Sequence, residues 1–78
     1  MQTTLNDLDI AGKCIVIGLS NQGISRRRML DLGIVPGAFI EVIRKSPLGE
    51  PKLYKIKGAM IALRKEETVN ILIKTIEK

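Results

Sequence analysis

The sequence of 78 residues offers few side chains that could hold a metal ion. It has no histidine and a single cysteine, Cys14. A zinc site takes about four nitrogen or sulfur ligands, which this chain cannot supply. The carboxylates that could bind a harder ion lie apart, with Asp7 and Asp9 near the start and Glu66 and Glu67 adjacent to each other, and no spacing brings three together. We therefore expect no metal site and no bound cofactor, and we interpret Cys14 as a small buried residue.

The sequence also lacks the pairs of side chains that activate a nucleophile. Ser20, Ser25 and Ser46 have no histidine that could act as a base, and Cys14 has none either. Residues 18–23 contain two glycines at the spacing of a phosphate-binding loop, but the lysine that should follow them is absent. This segment is predicted to be a polar loop that leads into a helix. We expect that the protein is not an enzyme.

Positive charge is concentrated in the middle of the chain. The net charge is +5, and the segment from Arg26 to Lys65 holds ten basic and three acidic residues. Such an excess favours an acidic protein surface, nucleic acid or anionic lipid as a partner, although the same charges could simply keep the strand faces soluble. Arg26, Arg27 and Arg28 open the predicted helix, where the helix dipole disfavours cations, and this placement suggests a use in binding. Nucleic acid is less favoured, because Phe39 and Tyr54 are the only aromatic residues on which bases could stack.

Local patterns predict one helix. Ser25 is a suitable N-cap for a helix that ends at about Leu32. Gly33 fits the position just beyond the helix, where a left-handed conformation is common. With Gly33 in that position, Met29 and Ile34 can make the hydrophobic contact of a Schellman ending.

Short apolar runs and turn residues predict a mainly β fold. Five strands are predicted, over residues 13–19, 39–45, 52–57, 60–64 and 69–76. The first is apolar on both faces, so we expect it to be central or covered by the helix. Pro36 and Gly37 have the sequence of a type II turn, Gly49 is expected at positive φ, and a further turn is predicted at residues 58–59. Strands this short with such turns suggest a small closed or nearly closed barrel.

The length predicts a single domain over residues 1–78. Its longest N-terminal apolar run, residues 14–19, is too short to cross a bilayer, and the first nine residues carry acidic but no basic side chains, unlike a secretory signal. One cysteine suits a reducing compartment. We expect a cytoplasmic protein that is not embedded in the membrane.

Together, the glycines and turns closely resemble the FeoA family of small cytoplasmic accessory proteins in bacterial ferrous iron uptake. The resemblance runs from about Leu5 to Ile73. The segments that carry it are 28–34, 36–37, 46–51, 58 and 62–67. It implies a mainly β, SH3-like barrel of about five strands, with one short α-helix inserted after the first long strand. It also implies a role beside FeoB, the membrane GTPase-coupled ferrous iron transporter.

Most residues of this resemblance have a backbone role and are expected to specify the fold rather than the function. These fold-signature residues are Leu32, Gly33, Pro36, Gly37, Pro47, Gly49, Pro51, Gly58 and Arg64. Despite the expected SH3-like architecture, we do not expect binding of proline-rich peptides, because the aromatic residues that line such grooves are missing.

Our favoured hypothesis is a protein-interaction module that docks on the cytoplasmic part of a FeoB-like transporter. The expected partner-binding residues are Arg26, Arg27, Arg28, Pro47, Leu48 and Leu53. The alternative is a sensor or carrier that binds a transition metal itself, since the family is often described as metal-binding; with the side chains available, any association with ferrous iron should be weak or indirect. A small RNA-binding barrel is a lower alternative, and no DNA binding is expected. The sequence leaves the oligomeric state and the direction of the effect on transport open.

Overall fold

The structure, a computed structural model, describes residues 3–76. Six strands, β1 to β6, cover Thr3–Thr4, Lys13–Leu19, Phe39–Lys45, Lys52–Ile56, Ala59–Leu63 and Ile71–Thr75. A 3-10 turn covers Leu5–Asp7, and the helices α1 and α2 cover Gly23–Asp31 and Lys65–Thr68. The five predicted strands are present to within two residues at each end. Strand β1 and helix α2 were not predicted as regular elements.

All six strands form one antiparallel sheet in the order β1-β6-β2-β3-β4-β5. Strand β2 lies between β6 and β3, which confirms its predicted central position. Strands β1 and β5 are the two edges, so hydrogen bonding does not close the sheet. The Lys52 ammonium group donates to the backbone oxygens of Asn6 at 2.9 Å and Leu8 at 3.1 Å. These bonds tie the segment after β1 to β4, on the open side of the sheet. Within residues 3–76, no helix has the length and apolar character needed to cross a membrane.

Two bulges bend the sheet around its inner face. The register of β2 against β6 shifts between Val16 and Gly18, and that of β3 against β4 shifts between Val42 and Arg44. A bulge bends its strand and increases the local twist. The sheet therefore coils, and its inner face meets α1 and the N-terminal turn. The buried apolar side chains are Leu5, Leu8, Cys14, Val16, Met29, Ile34, Ala38, Ile40, Val42, Tyr54, Ile56, Leu63, Ile71 and Ile73.

Helix α1 begins two residues earlier than predicted, so the assignment of Ser25 as the N-cap is wrong. The N-cap is Gln22, in an extended conformation, and its side chain makes no capping bond. Gly23 follows with a φ of +59°, which glycine adopts readily, and this turns the chain into the helix before Ser25. The Ser25 hydroxyl instead accepts a hydrogen bond from the Asn21 amide at 3.2 Å.

The predicted Schellman ending of α1 is confirmed. The Ile34 N–H donates to the Met29 carbonyl, and the Gly33 N–H donates to the Leu30 carbonyl, each at 3.0 Å. Gly33 has a φ of +89°. Met29 and Ile34 are both fully buried, so the helix ends against the core.

The predicted turns at Gly37 and Gly49 are also confirmed, since both residues have positive φ. The turn predicted at residues 58–59 is wrong by one position. Ile56 pairs with Ala59 across the β4–β5 hairpin, so Lys57 and Gly58 form the turn, with φ values of +50° and +81°. Positive φ at both central residues is typical of a type I′ turn, whose twist matches that of a hairpin.

Cys14 is a core residue, as predicted. Its side chain is 0% exposed, and burial raises the pKa of its thiol to about 11, with a smaller opposing effect from a backbone hydrogen bond at Ile40. Burial likewise raises the pKa of Tyr54 to about 12, with the Thr68 hydroxyl acting in the opposite direction. Both groups therefore favour the neutral form in the folded protein.

Gly33→Ala should destabilise the protein. An alanine would occupy a left-handed conformation, and its Cβ would lie 3.2 Å from Cδ of Lys57. We expect a loss of about 1–2 kcal/mol in the free energy of unfolding and a fall in Tm of about 4–8 °C per kcal/mol, measured by circular dichroism. Gly18→Ala is the control, because no atom lies within 4 Å of its added Cβ. Equal Tm values for the two variants would contradict this account.

Stability should fall at alkaline pH because the Cys14 thiol must ionise more easily in the unfolded chain. Its pKa rises from 9.0 to about 11 on folding, so its contribution is complete below pH 9 and is lost as pH rises towards 11. Urea unfolding at intervals from pH 8 to 11 should show the decline, of about 2 kcal/mol. Cys14→Ala should be less stable at pH 8 but should lose less stability over this interval. An unchanged pH dependence in that variant would exclude Cys14 as the cause.

Candidate partner-binding surface

The three consecutive arginines of α1 are all exposed, but their side chains have different surroundings. Arg26 donates from its guanidinium to the Leu19 carbonyl at 3.2 Å. Arg28 forms an ion pair with the Glu67 carboxylate. Arg27 makes neither a hydrogen bond nor an ion pair with any residue in the range 3–76. Arg27 is therefore the member of this set that is most available to a partner.

Because α1 starts earlier than predicted, its three arginines lie further from the N-terminal end of the helix dipole than expected. With Gln22 as the N-cap, Arg26 to Arg28 occupy the fourth to sixth helical positions, and Arg28 lies in the last turn. The dipole acts within the first and last turns of a helix. The interaction of the arginine charges with the helix dipole is therefore less unfavourable than expected. Their exposure, rather than their position in the helix, supports a role in binding.

Helix α2 joins several parts of this region through Glu67. The Glu67 carboxylate accepts from the Arg64 N–H at 3.0 Å and pairs with Arg28, while its backbone oxygen accepts from the Asn21 amide at 3.2 Å. These contacts connect the end of β5, helix α1 and the loop before it. The sequence carries no capping signal for α2, because its N-cap is Arg64 rather than a serine or threonine, although Glu67 three residues later does bond back to the Arg64 N–H.

The polar loop before α1 is occupied by contacts within the protein. Asn21 is only 3% exposed and donates to Ser25 and to the Glu67 carbonyl. The Ser20 hydroxyl donates to the Asn70 side chain at 3.1 Å. Gly23 turns the chain into α1, which agrees with the predicted polar loop leading into a helix.

Two of the expected binding residues on the sheet lie together. Pro47 and Leu53 line a groove of about 480 Å³ with Arg44, Lys45 and Ala62. Leu53 is half-buried and pairs with Arg44 on β3 and Ala62 on β5. The groove is therefore lined by both apolar and basic residues.

Leu48 lies at the tip of the turn between β3 and β4 and is 94% exposed. It lines a different groove, with Tyr54, Lys65 and Thr68. Arg28 lines a third groove, between α1 and α2, that shares no residue with the groove of Pro47 and Leu53. The structure thus places the expected residues at separate grooves rather than in one pocket.

The structure describes every fold-signature residue. Gly33, Gly37, Gly49 and Gly58 have φ values between +81° and +93°. Leu32 is the C-cap of α1 and packs against the core. The remaining members lie in turns or at element ends: Pro36, Pro47, Pro51 and Arg64.

The potential metal ligands among residues 3–76 do not form a cluster. Within residues 3–76, no group of three or more cysteine, aspartate, glutamate or histidine side chains comes together. Cys14 is enclosed in the core with a raised pKa, whereas metal binding requires the thiolate. The Ser46 hydroxyl donates to the Glu50 carbonyl at 2.6 Å, so this serine, like Ser20 and Ser25, stabilises a turn or loop.

Comparison with known proteins identifies a relative that matches most of this chain. A relative from Porphyromonas gingivalis, the Fe(2+) transport protein A/Fe(2+) transporter FeoB fusion protein, is 29% identical over 72 residues. The matched region is 92% of this chain and 8% of that relative, so the chain spans a small part of its length.

The fold is shared with solved structures. The FeoA-like protein from Clostridium acetobutylicum superposes with a TM-score of 0.91 at 34% identity, covering 99% of this chain and 90% of the other. FeoA of Stenotrophomonas maltophilia, solved with zinc and described as an SH3 domain protein, gives a TM-score of 0.82 at 26% identity, covering 92% and 89%. The predicted SH3-like fold is thereby confirmed, with six strands where about five were expected.

The model of the FeoA domain matches residues 3–75, which include every described strand and helix. The motifs that suggested this family from the sequence thus coincide with the turns and helix ends of the structure. The chain belongs to the FeoA family.

Proposed function

We propose that this protein is a cytoplasmic accessory protein of bacterial ferrous iron uptake that binds the cytoplasmic part of a FeoB-type transporter. The carrying observation is the Porphyromonas gingivalis relative, in which a region covering 92% of this chain is joined to a FeoB transporter in one polypeptide. Fusion holds two units at high effective concentration. Two units on different polypeptides would need a binding surface to reach the same proximity.

Two exposed side chains support such a surface. Arg27 carries a charge that no residue in the range 3–76 pairs with, and Leu48 exposes almost its whole side chain at a turn tip. An exposed cation and an exposed apolar tip are suited to the rim and the anchor of a protein interface, respectively. The groove of Pro47 and Leu53 lies next to this turn in sequence and adds an apolar recess.

We also propose that the protein has no catalytic activity and that its association with iron is indirect, through its partner. The donor set described above supports this proposal, because its single thiol is buried and the described carboxylates do not cluster. The Stenotrophomonas maltophilia FeoA was solved with zinc. Direct metal binding by this chain is therefore the alternative that needs a test.

Replacing Arg27 by Glu and Leu48 by Gln should weaken binding to the purified cytoplasmic domain of the FeoB transporter. The double variant removes the free cation and the apolar tip without touching the core, so the fold should remain intact. We expect an affinity about tenfold lower in a calorimetric titration, since exposed interface contacts contribute about 1 kcal/mol or less each.

Lys74→Glu is the matched control for charge reversal. Lys74 is exposed on β6 and lines none of the three grooves described above, and the change in net charge equals that of Arg27→Glu. The control should retain the affinity of the unmodified protein. If Lys74→Glu weakened binding equally, the effect would be due to net charge alone. If the double variant bound as tightly as the unmodified protein, the proposed surface would be wrong.

Anaerobic calorimetry with Fe(II) should show no saturable heat at protein concentrations of about tens of micromolar, since a site without clustered ligands binds weakly. Stoichiometric heat would instead favour the metal sensor or carrier. Cys14→Ala then identifies the ligand, because loss of the heat in this variant would place the ion at the thiol.

A further inference from the structure

Strand β5 is an open edge of the sheet. The two-residue turn makes Ile56 and Ala59 a pair that exchanges both backbone hydrogen bonds, and such pairs alternate along an antiparallel ladder. Ile61 and Leu63 therefore bond to β4, while the N–H and C=O groups of Met60 and Ala62 point away from it. No backbone group elsewhere in residues 3–76 bonds to them. The edge thus offers two donors and two acceptors to an additional strand.

This edge lacks the features that usually prevent strand addition. Natural edge strands carry prolines, charged side chains or bulges. Strand β5 consists of Ala, Met, Ile, Ala and Leu, and its register with β4 is regular over all five pairs. Met60 is 55% exposed, and Ala59 and Ala62 are also exposed. The strand is therefore accessible, and its regular backbone can pair with a further strand.

The surrounding charge selects the kind of strand that could bind. Five of the 13 basic residues lie between Pro51 and Lys65, a segment without an acidic residue. The other eight equal the eight acidic residues of the chain in number, so residues 51–65 account for the formal net charge of +5, with Glu50 and Glu66 directly flanking this segment. Lys57 lies in the turn at one end of the β5 edge, with its side chain extending over Gly33, and Arg64 and Lys65 lie at the other end.

These charges disfavour a second copy of the chain as the occupant. Antiparallel pairing of two β5 edges about Ile61 would bring Lys57 of one copy towards Lys65 of the other. Like charges opposite each other destabilise a strand pair. A strand with acidic residues at its ends would instead meet basic side chains at both ends of the edge.

We propose that the β5 edge binds an extended, acidic segment of a partner protein as an added strand. The backbone groups of Met60 and Ala62 provide the hydrogen bonds, and Lys57, Arg64 and Lys65 provide the charge selectivity. Ala62 also lines the groove of Pro47 and Leu53, so a bound segment can continue into that recess. The identity of the partner rests on the proposed function, in which the segment belongs to the FeoB-type transporter.

A peptide experiment tests the edge independently of the transporter. The probe is a fluorescent peptide with alternating valine and threonine at its centre and glutamates at both ends. A second peptide carries lysines in place of the glutamates, and a short oligothymidine represents nucleic acid. We expect the glutamate peptide to bind at least about tenfold more tightly than the lysine peptide, as electrostatic selection at the edge requires.

Two variants test the backbone contact. Ala62→Pro removes the outward N–H but none of the bonds to β4, since proline is tolerated at an edge when its nitrogen faces solvent. Ala62→Ser keeps the N–H and is the matched control. We expect Ala62→Pro to bind the glutamate peptide about fivefold more weakly than Ala62→Ser, which corresponds to one lost hydrogen bond. Should Ala62→Pro fail to fold, amide hydrogen exchange of the unmodified protein decides, with slower exchange expected at Met60 and Ala62 when the peptide is bound.

Several results would overturn the proposal. These are equal binding of the two peptides, no detectable binding of the glutamate peptide, protection that spares Met60 and Ala62, or preferential binding of oligothymidine. Concentration-dependent protection of the edge without peptide would instead identify a second copy as the occupant.

If the transporter domain binds without protecting Met60 and Ala62, this inference is wrong and the proposed function remains. If the glutamate peptide protects the edge but the transporter domain does not bind, the edge site remains and the proposed function is wrong.

Discussion

The sheet has to coil around its own inner face, and the rest of the structure depends on this constraint. Helix α1 buries a single side chain completely, Met29, so it cannot cover an open sheet. Bulges at residues 17 and 43 bend the two central strands, and alternation then directs Cys14, Val16, Ile40 and Val42 to the same enclosed space. In a chain of this length, which buries only about 60% of its unfolded surface, such an arrangement provides a core without a second layer of helices.

The residues that specify this fold are largely distinct from those available for binding. Gly33 and Gly37 reverse the chain between α1 and β3, and their contribution lies in the backbone. Arg27, Leu48 and the outward groups of β5 contribute little to the core. Because the two sets differ, the family resemblance identifies the architecture well, whereas function has to be argued from the exposed groups.

The parts of the fold that could be predicted are those determined by neighbouring residues. The bounds of β2 and β3 and the ending of α1 follow from alternation and from the place of Gly33 after an apolar turn. The start of α1 could not be predicted, because Gln22 makes no capping bond and a positive φ at Gly23 decides the entry. Helix α2 was missed because its four residues are polar.

The candidate site was less predictable because it depends on contacts between distant residues. Exposure of the arginines could be expected from their charge, but the pairing of Arg28 with Glu67 joins residues far apart in sequence. The recess formed by Pro47, Leu53 and Ala62 depends on the pairing of three strands. That β5 is an edge follows from the strand order of the whole sheet, which no local pattern in residues 59–63 records.

Residues 51–65 hold five basic and no acidic side chains, so the β4–β5 hairpin and the start of α2 are more positive than the rest of the chain on average. A negatively charged surface therefore exerts a torque on the approaching protein and turns the β4–β5 hairpin towards itself before contact. This alignment enlarges the fraction of encounters with a productive orientation. Because ions screen the interaction within about 8 Å at physiological ionic strength, the benefit is restricted to the last stage of approach. For a negatively charged partner, such charge would act on the rate of association rather than on the lifetime of the complex.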